Sequence, residues 1–90
     1  MDQNKKESLL EFPCNFDIKV MGEANANFSK DIICIIKEHD SNFNSSKIEM
    51  KGSSNGKYIS LTCSVHVKNQ RQLDKIYIDL SKSSMTKFVL

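Results

Sequence analysis

The stretch GSSNGKYISLTCSVHV, residues 52–67, decides the fold of this 90-residue chain. It opens with a turn in which Asn55-Gly56 is a strong β-hairpin signal. From Tyr58 to Val67, apolar and polar residues alternate, which is typical of a strand with one buried and one exposed face. The face expected to be buried consists of Ile59, Leu61, Cys63, Val65 and Val67. The sequence therefore predicts a long strand that forms the second arm of a hairpin.

Three further elements precede this strand. Residues 47–51 alternate between charged and apolar side chains and form the short first arm of the hairpin. Residues 25–38 have the apolar period of an amphipathic helix, and either Asn25 or Asn27 can accept backbone hydrogen bonds at its start. Residues 16–21 alternate again, so a first strand is expected there, ended by Gly22.

Two elements follow the strand. Asn69, with Gln72 three residues later, forms a capping-box-like start for a second helix. The apolar stripe of that helix is expected to be Leu73, Ile76, Tyr77 and Leu80. Residues 86–90 form a short closing strand. The full order is therefore strand, helix, strand, strand, helix, strand.

This order has one well-defined solution when both crossovers are right-handed. An antiparallel four-stranded sheet with strand order 4-1-3-2 carries both helices on one face and leaves the other face open. The predicted fold is thus a two-layer, ferredoxin-like α+β sandwich. It is expected to form a single domain over residues 9–90, after a polar, flexible N-terminal tail of residues 1–8.

Composition narrows the classes of function. Hydrophobic residues make up 39% and charged residues 27%, as in ordinary globular proteins. The net charge of +2 is spread along the chain and does not favour a nucleic-acid partner. No apolar run reaches the roughly 18–20 residues of a membrane span. Three widely spaced cysteines and no leader-like segment lead us to expect a cytoplasmic protein.

A candidate ligand-binding site follows from the topology. Three connections are expected at one end of the sheet: the turn after the first strand (residues 21–25), the hairpin (residues 52–57) and the exit of the second helix (residues 81–84). Helix-start N–H groups, glycines and a lysine there could hold a small carboxylate or phosphate. The residues expected to bind it are Gly22, Glu23, Asn25, Ser54, Asn55, Gly56 and Lys57. The alternative is that the glycines serve only turn geometry.

Other surfaces suggest other partners. The open sheet face is where RNA-binding domains of this topology stack bases, but Tyr58 is the only outward aromatic expected on the two central strands. The two edge strands could pair with a partner strand or form a homodimer, and the apolar closing strand is the more available one. The partner is therefore expected to be a protein or a small effector, with RNA binding as the alternative.

Catalysis is not indicated. His39 and His66 lie on different elements without the further ligands that a metal site needs. Cys63 is expected in the core, and nothing next to Cys34 would activate its thiol. The sequence predicts a non-enzymatic protein with no metal and no cofactor.

Several stretches give the chain a resemblance to a known family. They are LLEFP (residues 9–13) with Phe16, KVMG (19–22), SSNGKY (53–58) with Ser60, Tyr77, and the closing FVL (88–90). In order and spacing this sequence resembles the YbeD-like family of small bacterial proteins, over residues 9–90. Cys14 and residues 81–84 depart from the family pattern. The resemblance implies a fold close to the effector-binding ACT regulatory domain, and members are sometimes labelled putative lipoate regulatory proteins.

Overall fold

The structure is a computed structural model that describes residues 11–53 and 55–90. Its order of strands and helices confirms the one predicted. The elements are β1 (Cys14–Glu23), α1 (Ala26–Lys37), a 3-10 turn (Ser45–Lys47), β2 (Ile48–Gly52), β3 (Tyr58–Val67), α2 (Gln70–Ser81) and β4 (Thr86–Val89). The tail expected at residues 1–8 lies outside the described residues.

The four strands form one antiparallel sheet in the order β2-β3-β1-β4, the predicted order. β1 and β3 pair along their whole length, from Cys14 opposite Val67 to Glu23 opposite Tyr58. Gly22 does not end β1 as expected. The strand continues because Gly22 still pairs with β3, and a β-bulge next to it shifts the register of β4.

A single hydrophobic core lies between the sheet and the two helices. The alternation of β3 is confirmed, since its inward residues line this core. Met50 pairs with the inward-facing Leu61, yet it is 57% exposed because β2 is an edge strand. The buried hydrophobic side chains are Ile18, Val20, Phe28, Ile32, Ile36, Phe43, Leu61, Cys63, Val65, Val67, Leu73, Ile76 and Leu80.

Both helices begin at asparagine caps, as the sequence predicts. The Asn25 Oδ1 accepts a backbone N–H two residues on (2.8 Å), and the Asn69 Oδ1 accepts the N–H of Gln72 (2.8 Å). The side chain of Gln72 departs from a capping box. Its Oε1 accepts the N–H of Lys68 (2.6 Å), and its Nε2 donates to the C=O of His39 (2.7 Å), which ties the start of α2 to the end of α1. Neither of these described helices is long and apolar enough to cross a membrane.

The loop between α1 and β2 closes one side of the core. Phe43 is fully buried, although the surrounding Asn- and Ser-rich sequence reads as a surface loop. The pairing of β2 with β3 begins at Cys63, so β3 extends beyond its neighbour. In this extension of β3, the carboxylate of Asp40 accepts the backbone N–H of His66 (3.1 Å), which a neighbouring strand would otherwise accept. This loop therefore completes the edge of β3.

Candidate ligand-binding site

Backbone hydrogen bonds join three connections at one end of the sheet. The N–H of Ala24, after β1, donates to the C=O of Lys57 in the hairpin (3.0 Å). The N–H of Glu23 donates to the C=O of Met85, which follows the exit of α2 (3.1 Å). The predicted convergence of these connections is therefore confirmed, and their relative position is fixed by the main chain.

Gly22 lies beneath this end. It is buried, and a Cβ there would sit 2.4 Å from the Met85 carbonyl oxygen and 2.4 Å from the Phe28 ring. Gly22 was expected to let the backbone approach a ligand closely. In the structure it lets the backbone approach other parts of the protein, namely Met85 and Phe28. Only glycine lets β1, β4 and the first turn of α1 come this close together.

The hairpin has a hydrogen-bonded turn of its own. Gly56 has φ +74°, a left-handed conformation that favours glycine. The side chain of Asn55 accepts the N–H of Lys57 (3.0 Å) and the hydroxyl of Ser53 (2.8 Å), so it stabilises the turn itself. Ser54, the remaining hairpin residue of the predicted site, lies outside the described residues.

An open depression of about 420 Å³ lies between the turn after β1, the hairpin and β4. We call it the end depression, and it is lined by Glu23, Ala24, Asn25, Gly56, Lys57, Tyr58 and Lys87. Four of the seven predicted site residues are among them, whereas Gly22 and Asn55 support it without lining it. Sequence reasoning missed Ala24, Tyr58 and Lys87. The position of Lys87 follows from the β4 bulge, for which the sequence carries no clear signal.

The charges around the end depression are mixed. Lys57 and Lys87 supply two ammonium groups, and the carboxylate of Glu23 lies 4.0 Å from the Lys87 Nζ. Such an exposed ion pair contributes little stability and is readily exchanged for another partner. At the start of α1, the side chain of Asn25 already occupies the N–H of Asn27. The two lysines are therefore the main cationic groups available to an anion.

The histidines and cysteines lie elsewhere. His39, after the C-terminal end of α1, hydrogen-bonds to the carboxylate of Asp79 (2.8 Å), and this bond lowers the pKa of Asp79. Burial raises the pKa of the Cys63 thiol to about 12, so this residue stays protonated and unreactive. Cys34 is exposed. Within residues 11–53 and 55–90, no three His, Cys, Asp or Glu side chains converge as metal ligands.

On the open sheet face, Tyr58 is the outward aromatic side chain of the two central strands, as expected, and the edge strand β4 adds Phe88. Tyr58 is 37% exposed, and Phe88, which pairs with Met21, is 48% exposed on the same face. Lys19 and Lys51 lie beside Tyr58 on this face. The carboxylates of Asp17 and Glu49 lie farther along it, where they would repel phosphates.

Known structures share this architecture. The chain superimposes on the solution structure of protein HP0495 from H. pylori with a TM-score of 0.71, covering 90% of this chain and 85% of that one. It superimposes on the ACT domain from GTP pyrophosphokinase of Chlorobium tepidum with a TM-score of 0.65, covering 86% and 97%. Sequence identity is 20% in both cases, so these similarities support the fold alone.

Sequence relatives give the family. The UPF0250 protein NE1487 of Nitrosomonas europaea is 36% identical over 94% of this chain and 98% of its own length. A UPF0250 protein of Janthinobacterium sp. (strain Marseille) is 45% identical over 93% and 92%. The family model described as "Protein of unknown function (DUF493)" matches residues 7–90, which confirms the resemblance to a small bacterial family. The chain therefore belongs to the DUF493 family.

Proposed function

We propose that this chain is a non-enzymatic regulatory or adaptor domain that binds a small carboxylate- or phosphate-bearing effector in the end depression. The observation that carries this proposal is the hydrogen-bonded junction of three connections around Lys57 and Lys87. The ACT-like fold is consistent with such a role, but a shared fold is only an analogy for function. We place the activity in the cytoplasm, where exposed thiols such as Cys34 stay reduced.

An anion would bind by bridging elements that lie far apart in sequence. Lys57 belongs to the β2–β3 hairpin and Lys87 to β4, so a carboxylate held by both would link the two. It would compete with Glu23 for the Lys87 ammonium. A ligand that binds only the arrangement in which these segments are close together stabilises that arrangement by mass action. A regulatory domain can respond to the concentration of its effector in this way.

An amide chemical-shift titration of labelled protein tests this proposal. The panel contains amino acids, small dicarboxylates, inorganic phosphate and lipoate. We expect saturable shifts centred on Glu23, Asn25, Gly56 and Lys57 with at least one class of anion. A flat response across the panel would contradict the proposal, and protein partners would then be sought.

Charge variants separate a site from general attraction. Lys57→Gln and Lys87→Gln are each expected to weaken binding about tenfold or more, because an ammonium-to-anion hydrogen bond contributes about 1.5–3 kcal/mol. Glu23→Gln removes the competing carboxylate and is expected to strengthen binding. Lys37→Gln, in the last turn of α1, is the matched control and is expected to change nothing. Equal losses for all three lysine variants would indicate non-specific attraction.

Nucleic-acid binding through the open face is the alternative, and the exposed Phe88 beside Met21 is the observation that favours it. Bases stack on aromatic side chains, and affinity for a polyanion falls steeply as salt rises. Under this alternative, single-stranded RNA would shift the amides of Tyr58, Ser60 and Phe88 at low salt, and Phe88→Ala would weaken binding. Shifts confined to the end depression would contradict it.

A further inference from the structure

The outer edge of β4 has no strand beside it among the described residues. On its inner side, Leu90 forms two backbone hydrogen bonds with Lys19 of β1. The N–H of Lys19 donates to the C=O of Leu90 (3.3 Å), and the N–H of Leu90 donates to the C=O of Lys19 (2.7 Å). In an antiparallel pair, each successive residue turns its N–H and C=O to the opposite side. Val89 therefore presents both backbone groups outward.

The side chains beside this edge are apolar. Phe88 and Leu90 project onto the open face next to Val89 and are 48% and 64% exposed. The bulge at Met21 and Gly22 breaks the regular ladder on the other side of Phe88. The pairing-competent edge is thus reduced to residues 88–90, which limits the registers that a partner strand can adopt.

We propose that the occupant of this edge is a second copy of the same chain, paired antiparallel about a two-fold axis through Val89. In this register each Val89 donates its N–H to the Val89 C=O of the other copy. Phe88 of each copy then lies opposite Leu90 of the other, in the closely spaced type of antiparallel pair. The result is a continuous eight-stranded sheet with all helices on one side. This proposal does not rest on the end depression.

Self-complementarity is the argument for a second copy over an unrelated strand. After the two-fold rotation, the exposed apolar pair Phe88 and Leu90 of one copy packs against the same pair of the other copy. An isologous interface requires such a self-complementary surface. Lys87 is the only charged side chain of β4. In this register it does not lie opposite Phe88, Val89 or Leu90 of the second copy. The other edge strand, β2, carries charged Glu49 and Lys51, which oppose strand addition.

The size of the interface predicts weak association. Phe88 and Leu90 are the exposed apolar side chains that the pairing brings together. Since a large side chain carries about 150–250 Å², the two together expose roughly 200 Å² per copy, or about 400 Å² in a pair. That is below the roughly 1,200 Å² of stable interfaces, so a transient dimer with micromolar to millimolar Kd is expected.

Sedimentation of the full chain, from about 20 μM to about 1 mM, tests the association. We expect a monomer–dimer equilibrium that Phe88→Lys weakens at least tenfold. Met50→Lys places the same charge on a comparably exposed residue of the β2 edge and is expected to have no effect. A chain that stays monomeric at the highest concentration overturns the proposal, as does a loss caused by Met50→Lys instead.

Backbone and register variants make the test specific to the strand. Val89→Pro removes the outward N–H, which an edge strand tolerates, and replaces a half-buried side chain that packs against the core. It is expected to weaken association about tenfold with the fold retained. Val89→Ala keeps the N–H and is its control, with a much smaller effect. In a mixed labelled and unlabelled sample, intermolecular contacts between the Phe88 ring and the Leu90 methyls are expected. Contacts between the two Phe88 rings instead would refute this register.

Discussion

Replacing Gly22 by alanine tests the packing beneath the end depression. The added Cβ would lie 2.4 Å from the Met85 carbonyl oxygen and 2.4 Å from the nearest atom of the Phe28 ring. Non-bonded heavy atoms rest at about 3.5–4.0 Å, so each neighbour has to move by roughly 1 Å. The carbonyl is backbone, and the ring is fully buried, so neither can move freely.

The cost follows from these two displacements. Forcing an extra methyl group into a well-packed core typically costs about 1–3 kcal/mol. Moving the Met85 carbonyl also weakens the hydrogen bond that it accepts from Glu23, which adds about 0.5–1.5 kcal/mol. Gly22→Ala is therefore expected to lower the free energy of unfolding by about 2–4 kcal/mol. For a domain of this size that corresponds to a Tm lower by about 10–30 °C.

Urea denaturation of three glycine variants measures this effect with its controls. A Cβ at Gly52 meets nothing within 4 Å, so Gly52→Ala is expected to stay within about 0.5 kcal/mol of the parent protein. Gly56 also faces open space but has a positive φ, so Gly56→Ala is expected to cost about 1 kcal/mol from backbone strain alone. If Gly22→Ala proves as stable as Gly52→Ala, the close approach of β1, β4 and α1 at Gly22 is refuted.

Three further predictions concern polar groups inside the fold. The buried Thr86 Oγ1 has no hydrogen-bond partner among the described residues, so the isosteric Thr86→Val is expected to leave the Tm unchanged or raise it, and a lower Tm would reveal a partner for the hydroxyl. The hydrogen bond from His39 holds the pKa of Asp79 below its ordinary value, so this carboxylate stabilises the fold at neutral pH and loses that contribution as pH falls below about 4. Asp79→Asn should therefore flatten the acid limb of a stability–pH curve, and an unchanged limb would contradict this. Asp40→Ala leaves the His66 N–H unpaired and is expected to cost about 1–3 kcal/mol in urea denaturation, and an unchanged midpoint would show that another group satisfies this N–H.

Local patterns in the sequence predict most of the secondary structure. The strict alternation in β3 and the apolar stripes of the two helices require one buried face each, whatever the partner element is. Asn25 and Asn69 predict the helix starts because their side chains satisfy backbone groups within a few residues. These interactions are short in range, so the residues involved are neighbours in the printed sequence.

The candidate site is only partly predictable from the sequence, because its residues are brought together by long-range contacts. Topology brings Glu23, Asn25 and Lys57 to one end, since connections on the same side of a sheet converge. Lys87 joins them through a register shift in β4 beside Gly22, the residue that approaches Phe28 and Met85 most closely. No pattern local to residues 86–90 encodes that shift.

Phe43 and Asp40 show the same limit within the fold. Both lie in a segment whose composition reads as a loop, yet one is in the core and the other caps the exposed end of β3. The sequence by itself determined which residues form strands and helices and, through handedness, the order of the sheet. Only the tertiary structure decided which loop residues are buried, where β4 bulges and which charges line the end depression. The reason is that these features depend on contacts between segments far apart in the chain, which local periodicity does not record.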